Sequence, residues 1–359
     1  MSKHKPKANQ TAPQKESPAK RLDQYKQEKP VQLTLFEYFL AEGGNYSNTI
    51  ELYDFTPKYF WGKSPRVAGL FLKTLKREFE CRGTRYTVEI RPARITDKKG
   101  VEKEYYPGLR EELVEDALRK FACEGQGIFL DDAAGVTFTL YQLQQELKSK
   151  GHSFNKDEIK DALLICARAN MTITSEDGSM KLVSNLFETI GLQTREDWKG
   201  DGRKTKAFVR FHPLVTRSIK TGGFRQLNYE KTMTYRSAIA RQLHKRLSHH
   251  YTQASMAKPY HILLSTMIRD FGLTAYTQLR DNLRGVQGAL DEMVEREVLI
   301  FYKVDKVFDV KRRNKLTDAK LTMTPHTRFV NEIIKANKRQ AEVQKHLAPV
   351  SNSIYKSRQ

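Results

Sequence analysis

The chain has 359 residues, 63 Lys and Arg against 42 Asp and Glu, and a net charge of +21. With 39% hydrophobic and 10% aromatic residues, it holds enough apolar material for two or three cores, which excludes a fully disordered chain. No apolar run reaches the roughly 18–20 residues that span a bilayer, the basic start Met1–Lys7 has no apolar stretch behind it and does not read as a signal peptide, and Cys81, Cys123 and Cys166 lie too far apart for a disulfide framework or a paired-cysteine metal site, which fits a reducing cytoplasm.

Residues 1–30, rich in Lys, Gln, Pro and Ala, read as a disordered basic tail. Residues 31–100 read as a short apolar peptide followed by a β-rich region, with Ile50–Phe55, the alternating Tyr86–Ile90 and a turn at Asp97–Gly100. From Leu109 the period becomes helical, with Leu109, Leu113, Val114, Ala117, Leu118 and Phe121 on one face. A strand at Val136–Phe138 follows. Thr139 then caps a helix over 140–150, Gly151 ends it, and Asn155 caps a helix over 156–169. Met171–Thr174, the turn Glu176–Ser179 and Met180–Leu186 make a hairpin. Helix, strand, helix, turn, helix, hairpin is the order of a winged helix.

The order recurs. A helix over 235–251, a strand at Tyr260–Leu264, a short helix capped by Ser265 and closed by Gly272, a long helix over 276–297, and a hairpin of Val298–Val304 with Lys320–Met323 form a second such unit. The expected architecture is α+β: two tandem winged helices, over 101–230 and 231–330, joined by a strand at Ala207–Phe211 and followed by a basic tail over 331–359.

Charge separates the two units. Residues 101–200 carry 12 basic and 18 acidic groups, whereas residues 231–330 carry 18 basic and 9 acidic. The second unit has the electrostatic signature of a polyanion binder, and the first reads as a module for protein contact or self-association. In the long helix Leu279, Leu283, Val286, Leu290 and Met293 form the inward stripe. Thr277, Gln278, Arg280, Asp281, Arg284 and Gln287 fall outside it. Arg pairs with guanine O6 and N7, Gln with adenine N6 and N7, and Asp281 either accepts from cytosine N4 or orients a neighbouring Arg. Lys303, Lys306, Lys311, Arg312, Arg313 and Lys315 in the hairpin suit phosphates. Gly285 and Gly288 weaken the helix, which suggests close approach of another molecule.

No GxxxxGK[ST], GxSxG or HExxH occurs, and His249–His250 with His244 form no metal-ligand pattern. The reading is therefore a binding protein with no enzyme activity, metal or cofactor. A winged-helix transcriptional repressor is the main alternative, and a rolling-circle nicking initiator a weaker one, since its metal motif is missing.

Val136–Leu147 (VTFTLYQLQQEL), Lys181–Leu186 and Tyr235–Leu247 resemble plasmid replication initiators, most of all the TrfA family, over about Gln32 to Pro325. The resemblance implies binding to direct repeats (iterons) at an origin, with monomers as the active form. It also implies opening of an adjacent AT-rich region with single-stranded DNA contact, and recruitment of the host initiator and replicative helicase. The wing from Asp305 to Asp318 is longer than the family's. Gln32, Leu33, Leu35 and Phe36 resemble the peptide that binds the DNA polymerase III sliding clamp: Gln32 anchors by hydrogen bonds, while Leu35 and Phe36 fill an apolar pocket. The expected place is the bacterial cytoplasm, on plasmid DNA and away from membranes.

Overall fold

The computed structural model describes residues 45–62, 71–96, 99–192, 206–312 and 315–356. The tail over 1–30, the peptide Gln32–Phe36 and Arg313 lie outside the described residues.

The first unit opens with β1 (Tyr46–Thr49) and the short helix α1 (Glu51–Phe55). Two hairpins follow, β2 (Leu75–Cys81) with β3 (Thr84–Arg91) and β4 (Ala93–Thr96) with β5 (Glu102–Tyr105). Helix α2 (Leu109–Phe121) leads to β6 (Gly127–Leu130) and β7 (Ala133–Thr139), then α3 (Leu140–Ser149) and α4 (Lys156–Arg168). Strands β8 (Asn170–Ser175), β9 (Lys181–Asn185), β10 (Phe187–Gly191) and β11 (Lys206–Phe211) complete the unit. Then α5 (Pro213–Thr221), β12 (Arg225–Asn228) and α6 (Tyr229–Thr234) lead into the second unit. Its elements are α7 (Ala238–His250), β13 (Tyr260–Leu263), α8 (Leu264–Asp270), α9 (Leu279–Glu295), β14 (Leu299–Phe308) and β15 (Leu316–Pro325). Helix α10 (Thr327–Lys356) follows. The architecture is α+β, with the helix–strand–helix–helix–hairpin order present twice.

Local chemistry accounts for the helix starts. The Thr139 hydroxyl accepts from the Gln142 amide at 3.0 Å while the Gln142 side chain accepts from the Thr139 amide at 2.9 Å. Asn155 and Glu158 form the same reciprocal cap. Ser237, whose side chain accepts from the Ala240 amide, starts α7 three residues later than the periodicity predicts. Ser265 does not cap α8; it lies inside the helix, and its hydroxyl donates to Asp318 at 2.6 Å. Helix α9 starts at Leu279, so Thr277 and Gln278 precede it.

Three expectations about organisation change. The strand at 207–211 is no linker: β11 lies between β10 and β7 in a four-stranded sheet, order β10-β11-β7-β6. Residues 75–91 are not a separate region either. β2 and β3 extend the β8–β9 hairpin into a second sheet, order β2-β3-β8-β9, with Val88 opposite Ile173 and Ile90 opposite Met171. Residues 331–356 continue α10 rather than forming a tail. Phe329 and Ile333 of α10 belong to the core of the second unit, while Val343 and Leu347 belong to that of the first.

The two units also meet through charge. On α2 the apolar stripe is buried except Leu109, which is 42% exposed, and Glu112, Glu115, Asp116 and Arg119 are buried as well. Across from them lie Arg241 and Lys245 of α7. Lys245 sits 2.7 Å from Asp116 and 3.7 Å from Glu112, and Arg241 is 3.6 Å from Glu112. Arg119 bridges Asp116 at 2.6 Å and Asp54 at 2.8 Å, Lys58 stands 3.8 Å from Asp54, and Tyr59 donates to Glu115. Four carboxylates thus face four cations in one buried cluster. Burial alone would raise the Asp54 carboxyl, but Arg119, Lys245 and Lys58 outweigh it and hold it far below the usual range. A second contact joins β2 to α8: Arg269 bridges Glu80 at 3.2 Å and Asp270 at 2.7 Å, and Arg246 reaches Asp270 at 3.0 Å.

His212 and His244 give the fold an acid dependence. Burial, reinforced by Lys58 and Lys231 respectively, pulls both imidazoles down to about 3. An unfolded histidine titrates near 6.5, so between that value and the native one the unfolded chain binds protons that the native chain refuses. Stability is full above pH ~6.5 and falls as pH drops, by roughly 2 kcal/mol per histidine at pH 5. Urea unfolding at pH 7.5 and pH 5 should show this loss, to which buried His249, pulled down to about 4, adds a similar share, and His244→Gln should remove roughly 2 kcal/mol of it; an unchanged pH difference in that variant would contradict the assignment.

Candidate nucleic-acid interface

Helix α9 buries Leu283, Val286, Ala289, Leu290 and Met293 against the second core, with Leu279 partly buried beside them. This fixes the rotation of the helix and turns Arg280, Asp281, Arg284 and Gly288 outward. Asn282 sets its entry: the buried side chain donates to the Thr274 carbonyl at 2.8 Å and accepts from the Tyr276 amide at 3.0 Å. No sequence signal marked Asn282, because a polar residue beside an apolar stripe reads as surface.

The hairpin is longer than the periodicity predicts, with β14 reaching Phe308 and β15 starting at Leu316. Lys306 and Phe308 on β14, with Leu316 on β15, face α9 and close a groove with Arg280, Leu283, Arg284 and Gln287. Four of the sequence-predicted residues therefore meet in one concavity: Arg280, Arg284, Gln287 and Lys306. Phe308, 44% exposed, was missed because 305–318 read as a basic loop, although Val304, Lys306 and Phe308 continue the period-two alternation.

The polar contacts sort the groups further. Arg284 is exposed and donates to Asp281 at 3.2 Å. Gln287 hydrogen-bonds Tyr302, whose hydroxyl donates to Asp291 at 2.6 Å; burial and that carboxylate push Tyr302 up to about 12. Thr277 and Gln278 are exposed in the turn before α9. Lys311, Arg312 and Lys315 are exposed at the hairpin tip, where Asp309 accepts from the amides of Lys311 and Arg312 at 2.8 and 2.9 Å. Lys303 departs from the expected set. It alternates with Lys306 onto the other face of β14 and pairs with Asp305 at 2.8 Å.

Gly288 has open space where a Cβ would stand, and at Gly285 a Cβ would make only ordinary contact with Ile239 at 3.9 Å. Nothing among the described residues requires glycine at either site. Gly288→Ala should raise stability by about 0.5–1 kcal/mol in a urea melt.

The first unit presents a different face. The exposed side of α4 carries Lys156, Asp157, Asp161 and Arg168, which are mixed in sign. Glu112 and Asp116 of this unit are turned inward against Arg241 and Lys245 of α7, so part of its acidity is not presented to solvent. The three histidines of α7 have separate partners: His244 bonds Tyr235 at 3.0 Å, His249 packs edge-on to Phe55, and His250 lies 3.4 Å from Glu51.

No protein-family profile matches the chain, and no curated protein matches it. Among solved structures, the chain is similar to domains 2 and 3 of RctB, at 11% identity and a TM-score of 0.47, covering 74% of this chain and 94% of that one. A second structure of RctB domains 2–3 matches at 11% identity and a TM-score of 0.45, covering 78% and 98%. Pi initiator protein in complex with iteron DNA matches at 11% identity and a TM-score of 0.41, covering 61% and 91%.

Proposed function

We propose that this chain is a replication initiator that binds double-stranded iteron DNA through α9 and the β14–β15 hairpin, without covalent catalysis. The observation that carries the DNA-binding part is the groove in which Arg280, Arg284 and Gln287 of the helix converge with Lys306 of the hairpin. A helix with an outward Arg–Gln face suits the major groove, and a basic hairpin beside it suits the adjacent phosphates. The initiator role, with origin opening and recruitment of the host initiator and helicase, rests on the sequence resemblance. So does the clamp contact through Gln32, Leu33, Leu35 and Phe36.

Footprinting on the origin of the chain's own plasmid tests the reading directly, and protected direct repeats are the expected result. On such a repeat Arg280→Ala and Arg284→Ala should each cost about 1–3 kcal/mol and relax discrimination at one base pair. Lys311→Ala or Lys315→Ala should weaken binding on every sequence alike and shallow the salt slope by about one unit. Binding unchanged by both arginine substitutions would remove α9 from the interface. For the clamp, Leu35→Ala/Phe36→Ala should abolish capture by the sliding clamp while leaving melting and iteron binding as in the wild type. A joint fall in melting temperature and DNA affinity would instead make the peptide part of the core.

A further inference from the structure

Among the described residues β14 is the outer strand of its sheet, order β13-β15-β14, and its outer edge is long. Its pairing with β15 is regular from Phe301 to Val307, with irregularities only at Leu299/Phe301 and Val307/Phe308. That leaves a seven-residue ribbon centred on Val304. An edge of this length invites another strand unless its side chains oppose one.

The side chains do not oppose one; about Val304 the two halves of the ribbon complement each other. On the outer face stand Phe301, Lys303, Asp305 and Val307, all exposed, with Phe301 at 56% and Val307 at 48%. We propose that two copies of this chain pair edge to edge through β14, antiparallel about a two-fold axis at Val304. In that register Phe301 lies opposite the second copy's Val307, and Lys303 opposite its Asp305, each contact made twice. On the other face Tyr302 lies opposite Lys306, and Val304 meets itself. Directly opposed apolar pairs and opposite charges are the units that stabilise an antiparallel ladder, and a two-fold interface must be self-complementary in this way. Moving the axis by one residue ruins the match: centred on 303 it sets Lys303 against Lys303, and centred on 305 it sets Asp305 against Asp305. Within each chain Lys303 and Asp305 already pair at 2.8 Å, so association exchanges these two contacts for two across the axis.

The inference does not depend on the groove binding DNA. The full-length protein tests it by sedimentation equilibrium. Asp305→Lys and Lys303→Asp should each weaken the dimer at least about tenfold, because each sets like charges opposite one another twice. The double variant Lys303→Asp/Asp305→Lys should dimerise like the wild type, and an equimolar mixture of the two single variants should recover a heterodimer. Both substituted side chains, Lys303 and Asp305, are exposed, and unchanged melting temperatures check that folding is intact. A wild-type protein that stays monomeric up to about 100 μM overturns the proposal, as does a dimer indifferent to Asp305→Lys. A monomer whose β14 amides resist hydrogen exchange would place another segment of the same chain on this edge and equally overturn it.

Discussion

Asp116→Ala should lower the unfolding free energy by about 3–5 kcal/mol, read as a fall in the urea midpoint. The carboxylate accepts from Lys245 at 2.7 and 3.0 Å and from Arg119 at 2.6 Å, in a site from which water is excluded. Removing it leaves two cations buried with fewer partners, and the cost is that of an uncompensated charge rather than that of a lost contact. A paired change, Asp116→Leu/Lys245→Met, should recover much of the loss, since a buried ion pair is no more stable than apolar groups of the same size. The acid behaviour has the same origin. Burial alone would raise Asp116, but Lys245 and Arg119 outweigh it and depress its carboxyl below the unfolded value near 3.9. Its contribution is present above that value and is lost as pH falls through the native one. A loss under 1 kcal/mol for Asp116→Ala would contradict the buried cluster.

The second large effect is expected from α10. Val343 and Leu347 pack into the first core, on the glycine turn that ends α5. There Gly222 adopts φ +66, and a Cβ on it would come within 2.9 Å of both side chains. Arg225 locks the same helix: its guanidinium donates to the Ser248 carbonyl at 2.7 Å, to Asn337 at 2.5 Å and to Gln340. Val343→Ala/Leu347→Ala should therefore cost roughly 3–6 kcal/mol. Calorimetry should show the loss in a single transition if the units unfold together, whereas an unchanged melting temperature would detach α10 from the first core. On the proposed function, DNA affinity of the folded variant should not change, because α9 and the hairpin are untouched.

What the sequence disclosed was the local and periodic part of the fold. The caps at Thr139 and Asn155, the hairpin of β8 and β9, and the inward stripe of α9 from Leu283 to Met293 all follow from neighbours a few residues apart. Long-range pairing was not legible. Nothing in Thr84–Arg91 says that it will lie beside β8, about eighty residues later, and Ala207–Phe211 reads equally well as a connector or as a central strand. Charge misled most. Glu112 and Asp116 occupy the positions that periodicity assigns to solvent, yet they face Arg241 and Lys245 of α7. The acidic first unit and the basic second unit therefore partly answer one another, so the charge split was only in part a statement about DNA. Within the candidate interface, Arg280, Arg284 and Gln287 were visible from helix geometry. Phe308 and Asn282 were not, because one hid in an apparent loop and the other beside an apolar stripe.

The buried cluster of four carboxylates and four cations also constrains how such chains can be recombined. A chimera that grafts the second unit onto a foreign first unit would seal Arg241 and Lys245 against whatever α2 the new partner supplies. Any mismatch there strands a charge away from water, at about 3–5 kcal/mol per broken pair, a large share of a domain's typical stability. The second unit therefore cannot be exchanged as a cassette between related chains unless α1, α2 and α7 travel together. A working swap junction lies inside the hairpin of β14 and β15 or along the outward face of α9, where sequence can change without touching the seal.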